Sequence, residues 1–144
     1  MNHKFIIDTI IKNNGIIIGG YIREWIGNEN PSDNNWQDID IKCPKESIEK
    51  IRKEIHSLYP NLILDFSPNE YSGYRSPYSC NLIQYDGEFK TVKYLGEEDY
   101  VNLAKNKICI YFKKTSVGRR LDLEKKLINN GWKIRYPYLM KPLV

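Results

Sequence analysis

The chain has 144 residues and a mass of 17.0 kDa, enough for one hydrophobic core and too little for two. Its hydrophobic fraction of 41% and charged fraction of 28% exclude wholesale disorder, and a net charge of +4 suits anionic partners such as nucleotides or RNA without requiring them. No apolar run approaches a membrane span, Met1–Asp8 is too polar for a targeting segment, and three dispersed cysteines, Cys43, Cys80 and Cys109, predict free thiols in a reducing, cytoplasmic compartment.

Phe5, Ile6, Ile10 and Ile11 recur near helical spacing, which predicts a helix over Lys4–Asn13 stopped by Asn14-Gly15. Ile16–Ile18 follows as a short buried strand, and after Gly19-Gly20 a second helix runs from Tyr21 to Gly27. Asn28–Asn35 is polar throughout and reads as a surface loop. Trp36–Lys42 is the next strand, ended by Pro44, and Lys45–Leu58 is an amphipathic helix with Ile48, Ile51, Ile55 and Leu58 on one face. Asn61–Phe66, Tyr78–Tyr85 and Glu88–Leu95 read as strands, the last two joined by a tight Asp86-Gly87 turn. Ser67–Pro77, rich in Tyr, Ser, Gly and Pro, is a loop. Ile108–Phe112 predicts another strand, and Val117–Asn130 a last helix capped by Gly131 and followed by a Pro-rich tail. The expected fold is one α+β domain spanning residues 1–144, a mixed sheet flanked by helices.

Two short segments carry chemistry. Without β-carbons, Gly19 and Gly20 let the backbone approach a phosphate, and the N–H groups opening the following helix favour anions. In Asp38-Ile39-Asp40-Ile41, alternation along a strand puts both carboxylates on one face and both isoleucines on the other. Parallel carboxylates repel unless a cation lies between them, and Mg²⁺ (or Mn²⁺) suits oxygen ligands of this kind. Phosphate cradle and metal-binding pair together point to nucleotide chemistry.

Over Ile16–Ile41, the order Gly19-Gly20-x-x-Arg23-Glu24 then Asp38-Ile39-Asp40 resembles the polymerase-β-like nucleotidyltransferase superfamily. It looks most like the head domain of tRNA CCA-adding enzymes and bacterial poly(A) polymerases, which read G-G-x-V-R-D before a D-x-D. The resemblance implies a palm-like nucleotidyltransferase fold and transfer of a nucleoside monophosphate from an NTP to a hydroxyl acceptor, either an RNA 3′ end, a protein side chain or a small molecule. It assigns Asp38 and Asp40 to catalysis and metal binding, and Gly19, Gly20 and Arg23 to the nucleotide. Full-length relatives add helical domains, so a protein partner would supply the acceptor surface here unless the acceptor is small.

The superfamily also uses a third carboxylate on a strand beside the D-x-D strand. Where the CCA-adding group would place it, this chain has Thr91 or Lys93, and a later motif Asp is replaced by Asn102. Asp65, flanked by Ile63, Leu64 and Phe66, is the better substitute. Asp86 is the alternative, although Asp-Gly is a common turn pair. Without a third acid, the chain would be a degenerate head that binds nucleotide without turnover. A toxin-type nucleotidyltransferase is a further alternative. Arg23 either reaches a phosphate or forms an ion pair that fixes its helix. Tyr71–Tyr78, with Arg75, either stacks a base or packs on the domain, and Arg119, Arg120, Lys125 and Lys126 form either a solvated helix face or an RNA contact.

Overall fold

The computed structural model describes residues 1–68, 76–91, 99–112 and 117–136. The aromatic loop expected at 69–75, the strand continuation at 92–95 with Lys93, and the tail at 137–144 lie outside the described residues. Helix α1 (His3–Lys12) is capped by Asn2, whose side-chain oxygen accepts from the Phe5 N–H at 3.0 Å. It ends as Asn14 takes a left-handed conformation, φ 63°. Strand β1 (Ile16–Ile18) leads into α2 (Gly20–Asn28), and β2 (Ile39–Cys43) follows the polar loop. A 3₁₀ turn at Lys45–Ser47 precedes α3 (Ile48–Leu58), which returns the chain to β3 (Leu64–Pro68). A second 3₁₀ turn, Ser79–Asn81, precedes β4 (Ile83–Tyr85) and β5 (Phe89–Thr91). Then come α4 (Tyr100–Lys105), β6 (Ile108–Ile110), α5 (Val117–Asn129) and β7 (Lys133–Arg135).

The result is a mixed α+β architecture. Five strands lie in the order β3-β2-β1-β4-β5, antiparallel except for the parallel β2–β3 pair, and β6 and β7 form a separate parallel pair. Parallel pairing needs a crossover, and α3 supplies it. Ile39, Ile41 and Cys43 of β2 are fully buried while Asp40 and Lys42 point the other way. Helices α1, α2 and α3 lie on the Ile41 side. A β-carbon on Gly15 would meet both Ile10 of α1 and Ile41, and Arg52 of α3 lies 5.2 Å over the ring of Phe66, the residue paired with Ile41. Trp25 of α2 stacks 4.8 Å from Tyr85, which pairs with Ile17 on that same face. No helix among the described residues is long and apolar enough to cross a membrane.

Several element boundaries differ from the sequence expectation for local reasons. Ile63 is 60% exposed and its carbonyl accepts from the Ile39 N–H at 3.0 Å; β3 starts at Leu64, three residues later than expected, and extends to Pro68. Leu58 is 55% exposed rather than on the buried face of α3, whose core contacts are Ile51 and Ile55. Tyr78 makes only an isolated bridge to Tyr111, and the chain turns through Ser79–Asn81 before β4. The β4–β5 hairpin has a three-residue loop because Tyr85 pairs with Phe89. Lys133–Arg135 is a strand, where a tail was expected after Gly131.

Candidate metal centre

Asp40 projects from the face of β2 opposite the helices. It is paired in register with Ile18 of β1 on one side and with Asp65 of β3 on the other. Asp38 precedes the strand by one residue. The loop carrying it is held down by its flanks: Asp33 accepts from the N-terminal amine at 3.2 Å and meets His3 at 2.6 Å, and Trp36 packs edge-on against Tyr21 at 5.0 Å. Leu64 and Phe66 are packed against the core, so alternation along β3 turns Asp65 outward beside Asp40.

One carboxylate oxygen from each of Asp38, Asp40 and Asp65 lies within 4.8 Å of the other two. Among the described residues, no other group of His, Cys, Asp and Glu has this geometry. The partial burial of Asp40, the neighbouring charges of Asp38 and Asp65, and a hydrogen bond with Asp65 push its carboxyl up to about 7. Partial burial and two facing carboxylates thus keep a proton on Asp40 near neutrality, a perturbation of the kind that clusters at functional sites. Three oxygen donors of hard character fit a divalent ion such as Mg²⁺ and do not fit a soft one.

Gly19 closes the site from the β1 side. Its φ of 81° and ψ of −157° belong to a region reserved for glycine, and a β-carbon there would collide with the Asp40 carboxylate. Gly20, by contrast, has an ordinary helical position, and its missing β-carbon would lie 3.4 Å from Arg23 Nη2. As the N-cap of α2, Gly19 offers no side chain to its N-terminal N–H groups. These donors open beside the acids.

Of the two roles expected of Arg23, the structure shows the ion pair. Arg23 is 4% exposed, and its Nε donates to Glu24 Oε2 at 2.6 Å while Nη1 donates to Asn81 Oδ1 at 3.2 Å. Glu24 Oε2 also accepts from Trp132 Nε1 at 3.2 Å, tying α2 to the segment after α5. Yet Nη2, the nitrogen nearest Gly20, has no hydrogen-bond partner among the described residues. The ion pair fixes the helix.

Other residues singled out from the sequence lie elsewhere. Asp86 accepts from Lys90 Nζ at 3.0 Å and from the Glu88 N–H at 3.4 Å. Lys90 holds its carboxyl below the ordinary value, so it is a turn residue and no member of the acid cluster. Thr91 takes part in the capping of α4, where its hydroxyl meets Asp99 and the Val101 N–H, and Asn102 lies within that helix. Arg120 leaves the expected basic cluster: it is buried, bonded to Glu124 at 3.2 Å, and stacked 4.5 Å from Tyr111. Arg119, Lys125 and Lys126 remain exposed. The cysteines are free and buried. The Glu24–Trp132 bond escapes sequence reading, since its partners are 108 positions apart.

Comparison with protein-family models, with curated proteins and with solved structures finds no match. What the fold and the site define is therefore a class: an α+β protein whose sheet carries a three-carboxylate centre able to hold a metal ion.

Proposed function

We propose that this protein is a Mg²⁺-dependent nucleotidyltransferase of the polymerase-β-like type, transferring a nucleoside monophosphate from an NTP to a hydroxyl acceptor with release of pyrophosphate. The observation that carries the reading is the position of Asp65. A binding module without turnover needs no third acid, whereas this chain brings one beside Asp38 and Asp40 from a separate strand. The three carboxylates would hold Mg²⁺, which when bound supplies positive charge to the triphosphate and lowers the pKa of the attacking hydroxyl.

The chain's own residues do the rest. The uncapped N–H groups of α2, reached over Gly19 and Gly20, receive the outer phosphates, and Arg23 Nη2 adds a charged donor at the same turn. The acceptor oxygen forms a bond to the α-phosphorus as the bond to pyrophosphate breaks, and the hydroxyl proton passes to solvent. Fixing the phosphates at one end of the site aligns this in-line displacement.

Incubation with each α-labelled NTP, Mg²⁺ and total RNA or a small hydroxyl acceptor tests the reading. Transfer of label that is lost in Asp40→Asn and Asp65→Asn is the expected result. Absence of transfer to every acceptor, together with no metal-dependent change in melting, would refute it.

A further inference from the structure

The sheet register divides the open face into three tiers along the strand axis. Ile18 pairs with Asp40 and Ile16 with Lys42 in the antiparallel β1–β2 ladder, so the Gly19-Gly20 turn continues past Asp40 towards Asp38. Lys42 lies on the opposite side, two residues beyond Asp40, or about 6.6 Å along the strand, and its parallel partner on β3 is Ser67. Alternation puts Lys42 on the face of Asp40, and Ser67 on the face of Asp65. The site thus has a glycine tier, a carboxylate tier and a Lys42–Ser67 tier, in that order.

In-line displacement requires the attacking oxygen to approach opposite the leaving group. If pyrophosphate departs over the glycine tier, the acceptor must enter over Lys42 and Ser67. Among the described residues, Lys90 of β5 is the other strand lysine on this face of the five-stranded sheet. It stands three strands away from β2 in the order β3-β2-β1-β4-β5. A half-buried lysine and a hydroxyl thus stand at adjacent register positions, one tier from the three carboxylates.

We propose that Lys42 and Ser67 form an acceptor subsite that binds a phosphate on the acceptor itself, one repeat away from its attacking hydroxyl. The chemistry that fits is a nucleotide unit, whose phosphate and 3′ hydroxyl stand apart by a length comparable to two strand residues. This rests on the nucleotidyltransferase reading for its direction, while the subsite can be measured without turnover. Lys42 donates to phosphate oxygens as a point charge, and Ser67 adds one neutral donor.

The test uses the full chain with Mg²⁺ and three probes: a nucleoside, its 5′-monophosphate, and a short 5′-fluorescein oligoribonucleotide ending in a 3′-deoxy nucleotide. Binding is read by calorimetry for the small probes and by anisotropy for the oligonucleotide, and the KM for acceptor and for NTP are measured separately. Lys42→Met should weaken binding of the monophosphate and the oligonucleotide about tenfold, leave the nucleoside unaffected, and raise the acceptor KM with little change in the NTP KM. Lys42→Arg should restore most of the affinity, and Ser67→Ala should cost about threefold. Preference for oligonucleotide over free monophosphate would identify a nucleic-acid end, and the reverse a free nucleotide. Each variant is first shown to melt like the wild type. Phosphate binding that depends on Lys42 in a protein that transfers nothing would keep the subsite and remove the transferase reading. Unchanged binding in Lys42→Met, a raised NTP KM instead of a raised acceptor KM, or no phosphate-dependent binding in the wild type overturns the subsite.

Discussion

Replacing Asp40 by Asn should stabilise the metal-free protein, although most substitutions at a half-buried position do the opposite. In the folded chain the Asp40 carboxyl titrates at about 7, against an ordinary value of 3.8. The folded state therefore holds a proton that the unfolded state has lost, and stability falls as pH rises from about 4 to about 7, then levels off. Three pH units correspond to about 4 kcal/mol, and solvent access to the site reduces this to about 2 kcal/mol. The asparagine side chain is nearly isosteric with aspartate, neutral at every pH, and able to donate to Asp65. At pH 8 in EDTA, Asp40→Asn should melt higher by about 6 °C, and this advantage should vanish towards pH 4. Adding Mn²⁺ or Mg²⁺ should reverse the order, because ligand at a hundredfold excess over Kd adds about 2.7 kcal/mol to the wild type only. Differential scanning fluorimetry across pH, with and without metal, reads both effects. A variant less stable than wild type at pH 8 in EDTA, or a metal-induced shift that persists in it, would refute the reasoning.

Metal binding must expel the Asp40 proton, so calorimetric affinity for Mn²⁺ should tighten between pH 6 and pH 8, with proton release that depends on buffer identity. Gly19→Ala should destabilise the fold by about 1–3 kcal/mol from backbone strain alone, more through collision with Asp40, whereas Gly20→Ala should be far milder in urea melts. Asp65→Ala should abolish metal-dependent stabilisation as completely as Asp38→Ala, and Asp86→Ala should leave it intact while loosening the hairpin turn by less than about 1 kcal/mol. Arg23→Met should lower stability by about 3–5 kcal/mol, since it strands the buried Glu24 carboxylate, and this is measurable by chemical denaturation.

Much of the local structure around the site is written in short-range pattern. The Ile16–Ile18 run, the glycine pair and the alternation of Ile39, Asp40 and Ile41 define a strand, a turn and a second strand without help from distant residues, because burial of one face dictates where Asp40 points, while Asp38, expected within that strand, lies one residue before it. The helix between β2 and β3 is equally legible from Ile51 and Ile55, and it supplies the crossover that the parallel β2–β3 pairing needs. The boundaries were less legible where an apolar residue serves a turn, as at Leu58 and Ile63. Tertiary structure alone decided the third carboxylate. Asp65 could have paired one residue out of register, which would have turned it into the core, or lain at a remote edge of the sheet. Burial of Leu64 and Phe66 against the core, and the order β3-β2-β1, set Asp65 opposite Asp40. The same holds for Arg23, whose role depends on Glu24, Asn81 and Trp132 meeting across the chain: long-range desolvation, and no local spacing, makes that network.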